Sequence, residues 1–248
     1  MAPPSTIIVT MAGDGERFRR EGYRVPKFRI EAKGRSLFHW AVVSLSNFWS
    51  DDAQMVFVCR REHDPATFLE RECGRLGIRN YDVLLLDAAT DGQATTALRG
   101  GAAVRDPARP VLIYNIDTHV TPGELRPEDV RGDGWIPCFP GEGTAWSFAD
   151  AGPDGLVRRV AEKVRISSLA TIGLYWFSSF ARFEQLYENR FRTARSGEKY
   201  IAPMYNTLIA EGGAVYVQSI PAAAVRPLGT PAEVRAFEAA TYEIAVTQ

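Results

Sequence analysis

The chain has 248 residues, 46% of them hydrophobic, enough to bury a full core in one large α/β domain or two small ones. Its net charge of −1, with 24% charged residues, provides no basic face for a phosphate backbone and argues against nucleic acid as a partner. No uninterrupted apolar run approaches the roughly 18 residues of a membrane span, and the opening MAPPS has neither a charged n-region nor a cleavage site, so a cytoplasmic protein with no membrane partner is expected.

Apolar β-branched runs alternate with helical patterns through the first half, the signature of strands joined by helical crossovers in a mostly parallel sheet. Residues 6–11 (TIIVTM) predict the first strand. Ser36 caps a predicted helix with Leu37, Trp40, Val43 and Leu45 on its apolar stripe, and residues 54–59 (QMVFVC) predict the second strand. Pro65 starts a helix running to about Cys73, followed by a strand at 81–86, a small-residue helix at 95–104 and a strand at 111–115 (VLIYN) that leads to Asp117. Beyond Asp117 the strands shorten, to 135–139, 145–149, 156–162 and 170–177, with Gly152-Pro153-Asp154-Gly155 as a hairpin turn. Helices at 180–191 and 202–211 and a last strand at 215–220 complete the pattern. The expectation is a single domain over 1–248, with a nucleotide-binding half to about residue 117 and an acceptor-binding half after it. Nothing in the pattern argues against a homo-oligomer.

Cys59, Cys73 and Cys138 are odd in number, far apart and in apolar surroundings, which favours buried free thiols over a zinc site. Of the 29 basic residues only Lys27, Lys33, Lys163 and Lys199 are lysines. In so arginine-rich a chain, a lysine points to a place where a compact charge suits better than a planar fork.

Four segments carry chemistry. The first is Met11-Ala12-Gly13-Asp14-Gly15-Glu16-Arg17-Phe18, directly after a strand, with Pro26-Lys27 ten residues past Arg17. Backbone N–H groups at Ala12, Gly13 and Gly15 suit a polyphosphate, and Arg17 and Lys27 supply mobile cations for its charge. A dinucleotide-binding fingerprint fits less well, because Phe18 occupies its third glycine position. The second is Asp117, beyond the carboxyl end of a buried strand, where an acidic group can hold Mg²⁺ against phosphate oxygens. His119 is read as a loop histidine, since a hard cation prefers oxygen. The third is Glu162-Lys163, either a solvated ion pair or, followed by Gly173, a binding site for the phosphate and hydroxyls of an acceptor. The fourth is Asp91-Gly92-Gln93-Ala94-Thr95 at a helix start, where Gly92, Gln93 and Thr95 can read a base edge, or Asp91 is simply a cap. Trp146 and Tyr175 are either ring-stacking or core aromatics.

Together these motifs resemble the sugar-phosphate nucleotidyltransferases, NDP-sugar pyrophosphorylase-like proteins with a single GT-A, Rossmann-like α/β domain whose mixed, mostly parallel sheet is flanked by helices. The resemblance spans residues 7 to about 234. MAGDGERF with YRVPKF, IDTHV, AWSFAD, VAEKVRISSLATIGLYWF, EKYIAPMYNTLI and LGTP are similar to a bacterial branch of capsule and surface-polysaccharide biosynthesis. It implies that Gly13, Gly15, Arg17 and Lys27 hold a nucleoside triphosphate, that Asp117 holds Mg²⁺, and that Glu162 and Lys163 meet the acceptor phosphate. Two departures stand out. The glycine loop is one residue shorter than the commoner G-G-x-G-x-R form, and Pro227 fills the slot where many relatives carry a second metal-binding aspartate.

The implied reaction is attack by a phosphate or phosphonate oxygen on the α-phosphorus of the triphosphate, with release of pyrophosphate. Two alternatives remain open at this level: a GT-A family 2 glycosyltransferase using Asp117-Thr118-His119 as a D-x-D variant, and a non-catalytic nucleotide-binding subunit.

Overall fold

The computed structural model describes residues 6–50, 52–192 and 197–240, so the opening MAPPS lies outside the described residues. The elements in chain order begin with β1 (Thr6–Thr10), α1 (Glu16–Arg20), a small hairpin of β2 (Glu31–Ala32) and β3 (Arg35–Ser36), and α2 (Leu37–Val43). They continue with β4 (Gln54–Arg60), α3 (Ala66–Leu76), β5 (Tyr81–Leu86), α4 (Gln93–Gly100) and β6 (Val111–Asn115). The second half holds β7 (Thr118–Val120), β8 (Gly134–Pro140), β9 (Ser147–Ala151), β10 (Val157–Glu162), β11 (Leu169–Thr171) and β12 (Leu174–Phe177). It closes with α5 (Phe180–Phe191), α6 (Met204–Ala210), β13 (Val215–Ser219), β14 (Val225–Pro227) and α7 (Pro231–Ala239).

One mixed sheet runs through both halves, in the order β10-β9-β11-β8-β12-β6-β1-β4-β5, with β13 paired to β8. Its β5-β4-β1-β6 portion is entirely parallel, with Ile8 of β1 in register with Val56 on one side and Ile113 on the other. Strand periodicity explains why these runs are apolar throughout: Ile7 and Val9 enter one core and Ile8 the other, as do Met55 and Phe57 against Val56 and Val58. Helices α2 and α3 cover the first face through Phe38, Val42, Phe68 and Leu69, and α4, α5 and α6 cover the second. The expected α/β architecture with helices on both faces is therefore present. A third core joins α7 to the start of the chain, packing Val234 and Phe237 with Phe18, Trp40 and Leu228.

Three local expectations change. The run 170–177 is two strands, because Gly173 takes φ 80° between them and the Asn115 side chain lies where its Cβ would be, 2.5 Å from Cγ. The helix expected at 95–104 starts earlier, at Gln93, and ends in a 3₁₀ turn at Gly101–Ala103. The strand at 215–220 is followed by β14 and α7, which the apolar pattern alone had not revealed. Helix α7 is instead marked by its start, where Thr230 caps the Glu233 N–H and Pro231 takes the first turn.

The three thiols are free and buried, and burial pushes those of Cys59 and Cys73 up to about 12. No helix of the described residues is long and apolar enough to cross a membrane. His119 is a buried strand residue facing α2, its Nδ1 2.8 Å from the Trp40 carbonyl, and not a loop histidine.

Burial lowers the His119 pKa from 6.5 to about 4. Between those values the unfolded chain binds a proton that the native state refuses, so stability falls as pH drops below 6.5 and this loss levels off below about 4. The cost is on the order of 3 kcal/mol. His39 and His63, also lowered mainly by burial, act in the same direction. Urea midpoints are expected to decline from about pH 7 to about pH 5, and less steeply in His119→Asn, which keeps a donor for Trp40. Equal slopes in the two proteins would remove His119 as the source.

Candidate active site

The carboxyl ends of β1 and β6 open into a cleft of about 780 Å³ lined by residues from both halves of the chain. Its size suits a nucleotide-sized ligand. The chain leaves β1 at Met11, whose N–H still bonds the Val58 carbonyl, and then turns through the glycine loop. Ala12, Gly13 and Gly15 line the cleft together with Arg17, an exposed side chain with no hydrogen-bond or ion-pair partner among the described residues. The loop also carries a negative charge, Asp14, balanced by Arg60 at the end of β4 at 2.7 Å. That pair ties the loop to the sheet.

Lys27 begins a 3₁₀ turn after Pro26, and Phe28 beside it is buried against Phe68. This anchor turns Lys27 towards the cleft, where its Nζ donates to Asp117 Oδ2 at 2.7 Å. Asp117 sits in the gap between β6 and β7. There the chain leaves the main sheet, and β7 pairs with β14, so the Leu228 N–H donates to the Asp117 carbonyl at 2.7 Å. Pro227 faces Thr118 in this ribbon and also lines the cleft, bringing no oxygen-bearing side chain.

On the opposite wall β10 ends at Glu162, and Lys163 follows with φ 54°, an uncommon conformation for a non-glycine residue. Its N–H bonds the Trp146 carbonyl at 2.9 Å, and its ammonium donates to the Tyr200 hydroxyl, which raises its pKa. The Glu198 carboxylate lies 3.9 Å away. Glu162 accepts a hydrogen bond from Ser147, and burial raises its pKa. Trp146, which meets Phe139 edge-on, and Tyr175, whose hydroxyl bonds that of Thr171 at 3.1 Å, both line the cleft.

The loop at 91–95 divides. Gly92 and Gln93 line the cleft, with Gln93 Nε2 3.4 Å from the Thr10 hydroxyl. Thr95 does not reach it. In the first turn of α4, its hydroxyl bonds Asp91 and the Tyr187 hydroxyl of α5, and Thr96 lines the cleft in its place. Gly173 lines the cleft too, and the Asn115 side chain occupies the space that a Cβ there would take.

No family model and no curated protein matches the sequence. Among solved structures, the chain is similar to a nucleoside-diphosphate-sugar pyrophosphorylase from Vibrio cholerae RC9, with 32% identity over 94% of this chain and 99% of that one and a TM-score of 0.86. The chain belongs to the nucleoside-diphosphate-sugar pyrophosphorylase family. It is thus a nucleotidyltransferase. Two more distant solved structures share the fold: the inositol-1-phosphate CTP transferase of T. maritima, at 14% identity over 96% of this chain and 95% of that one with TM-score 0.77, and a putative glucose-1-phosphate thymidylyltransferase of Bacillus anthracis, at 16% identity over 94% of each with TM-score 0.76.

Two lining residues of this pyrophosphorylase-family cleft, Asn115 and Glu233, had no role assigned from sequence, and Lys199 braces one of its loops. Asn115 has a buried Oδ1 with no hydrogen-bond partner, at the end of the strand that leads to Asp117. Lys199 stood out in sequence as one of few lysines and as part of EKYIAPMYNTLI. Its backbone clamps the Asp91 loop through Lys199 N–H to the Asp91 carbonyl, 2.7 Å, and Ala94 N–H to the Lys199 carbonyl, 3.0 Å. Its ammonium pairs with Asp91 at 2.8 Å. Glu233 comes from the unforeseen α7. A strand-end position was the available signal for Asn115, and the Thr-Pro-x-Glu start for Glu233.

Proposed function

We propose that this chain couples a nucleoside triphosphate to a sugar phosphate, or to a similar phosphorylated or phosphonate acceptor, releasing pyrophosphate, in the supply of surface-polysaccharide precursors. The observation that carries the reading is the convergence of Arg17, Lys27, Asp117 and Lys163, from four separate segments, on one cleft. The polysaccharide role is supported by the motif resemblance.

The donor set fits a divalent cation. The Asp117 carboxylate already holds a cation, Lys27 Nζ at 2.7 Å, and Mg²⁺ takes one or two carboxylates along with substrate phosphates. When bound, Mg²⁺ would neutralise charge on the triphosphate oxygens. Arg17 and Lys27 bind the triphosphate in this reading, while the glycine-loop N–H groups orient it. Gln93 and the Gly92 backbone face the base. Lys163 orients the acceptor phosphate, whose attacking oxygen is already anionic at neutral pH, and Glu162 accepts a hydrogen bond from an acceptor hydroxyl. No general base is required, so rate enhancement rests on positioning and charge stabilisation.

The test is a thermal-shift screen of CTP, UTP, dTTP, GTP and ATP with Mg²⁺, followed by pyrophosphate assays with a panel of sugar 1-phosphates. One triphosphate is expected to stabilise the native state, by about 2.7 kcal/mol at 100 times its Kd, and pyrophosphate to appear only with an acceptor. Sugar transfer from a sugar nucleotide without pyrophosphate would support a glycosyltransferase instead.

A further inference from the structure

Helix α7 begins Thr230-Pro231-Ala232-Glu233, a capping sequence in which the threonine hydroxyl accepts from the N–H of the glutamate three residues on. That half is formed, Glu233 N–H to Thr230 Oγ1 at 3.2 Å. In a complete box the glutamate side chain folds back onto the threonine N–H. Here that return bond is absent, and the Glu233 carboxylate has no hydrogen-bond or ion-pair partner among the described residues; it lines the cleft instead.

Asp117 lines the same cleft. The point where a Cβ on Gly229 would sit is 3.4 Å from Glu233 Oε2 and 3.5 Å from Asp117 Oδ2, so both carboxylates border the space that a side chain there would fill. Packing holds both walls in place. Val234 and Phe237 fix α7 against Phe18 and Trp40, and the Leu228 N–H is bonded to the Asp117 carbonyl. Among the described residues the Lys27 ammonium forms its ion pair with Asp117, not with Glu233. Two like charges facing one gap in a partly buried cleft favour a cation between them.

We propose that Glu233 is a second carboxylate of the cation site, acting with Asp117 on the divalent ion that accompanies the triphosphate. The proposal rests on the nucleotidyl-transfer reading. The Asp117 and Glu233 carboxylate oxygens would hold such an ion, which would supply charge neutralisation at the triphosphate. Gly229 is needed because any side chain there would fill the gap. Lys27 is then left to the phosphate oxygens.

Glu233→Gln preserves length and capping ability, so it leaves the helix start intact. Mn²⁺ binding is measured by the electron-paramagnetic-resonance signal of free Mn²⁺, in protein saturated with whichever of the five triphosphates gives the largest thermal shift and with no acceptor present. Glu233→Gln and Asp117→Asn are each expected to weaken Mn²⁺ binding about tenfold or more, with partial recovery in Glu233→Asp. The triphosphate thermal shift in EDTA should match wild type in Glu233→Gln. Wild-type Mn²⁺ affinity in Glu233→Gln, with loss in Asp117→Asn, would overturn the role of Glu233 and leave the nucleotidyl-transfer reading standing. A wild-type protein that no triphosphate stabilises overturns both.

Discussion

Lys27→Ala is expected to lower kcat for pyrophosphate release by about 10²-fold or more, with Asp117→Ala losing a similar amount, because each removes a preorganised charge from a site built on charge stabilisation. In the resting structure these side chains satisfy each other at 2.7 Å, with Lys27 16% and Asp117 33% exposed. A pair that is partly open to solvent contributes on the order of 1 kcal/mol or less to folding. Activity should therefore fall far more than stability. Denaturation midpoints measured beside steady-state rates separate the two effects. Lys27→Arg adds a control: it keeps the charge but replaces a point donor with a planar fork, so partial activity is expected. Near-normal pyrophosphate release by Lys27→Ala would remove the lysine from the reaction.

Gly92→Ala should weaken both the fold and nucleotide binding. Gly92 has φ 143° and ψ 173°, a region essentially confined to glycine, and an added Cβ would stand 2.5 Å from the Lys199 nitrogen and 2.8 Å from its carbonyl carbon. These are backbone atoms and cannot rotate away. Relief requires the segment around Lys199 to move, breaking its two backbone bonds to the Asp91 loop and loosening the Lys199–Asp91 ion pair. The expected destabilisation is about 2–4 kcal/mol. Because the loop carries Gln93, KM for the triphosphate should rise more than kcat falls. Gly13→Ala provides the contrast for stability, since nothing lies within 4 Å of the position its Cβ would take. Wild-type urea stability together with wild-type KM in Gly92→Ala would show that the 197–200 segment does not support the nucleotide loop.

Much of the architecture was legible because strand and helix periods are local properties. The strands at 81–86 and 111–115 and the helix at 180–191 occur within the boundaries their apolar patterns predict, and the Gly152–Gly155 turn joins β9 to β10 as a hairpin. The errors arise where a distant contact sets the conformation. The break in the 170–177 run comes from an Asn115 side chain 58 positions before Gly173, and Thr95 leaves the cleft because Tyr187 and Asp91 claim its hydroxyl.

The glycine loop, Lys27, Asp117 and Glu162-Lys163 were identifiable from residue type and strand-end position alone, because ligands of open α/β sheets gather beyond the carboxyl ends of strands. What the sequence by itself determined was therefore the layered fold and the charged residues available for chemistry. The tertiary structure decided which of them meet: Lys27 on Asp117 across 90 residues, Asp14 on Arg60, the Lys199 clamp on the Asp91 loop, and Glu233 with Asp117 beside Gly229. Such pairings depend on sheet order and on the packing of α7 against the start of the chain, and no local period or motif spacing records either.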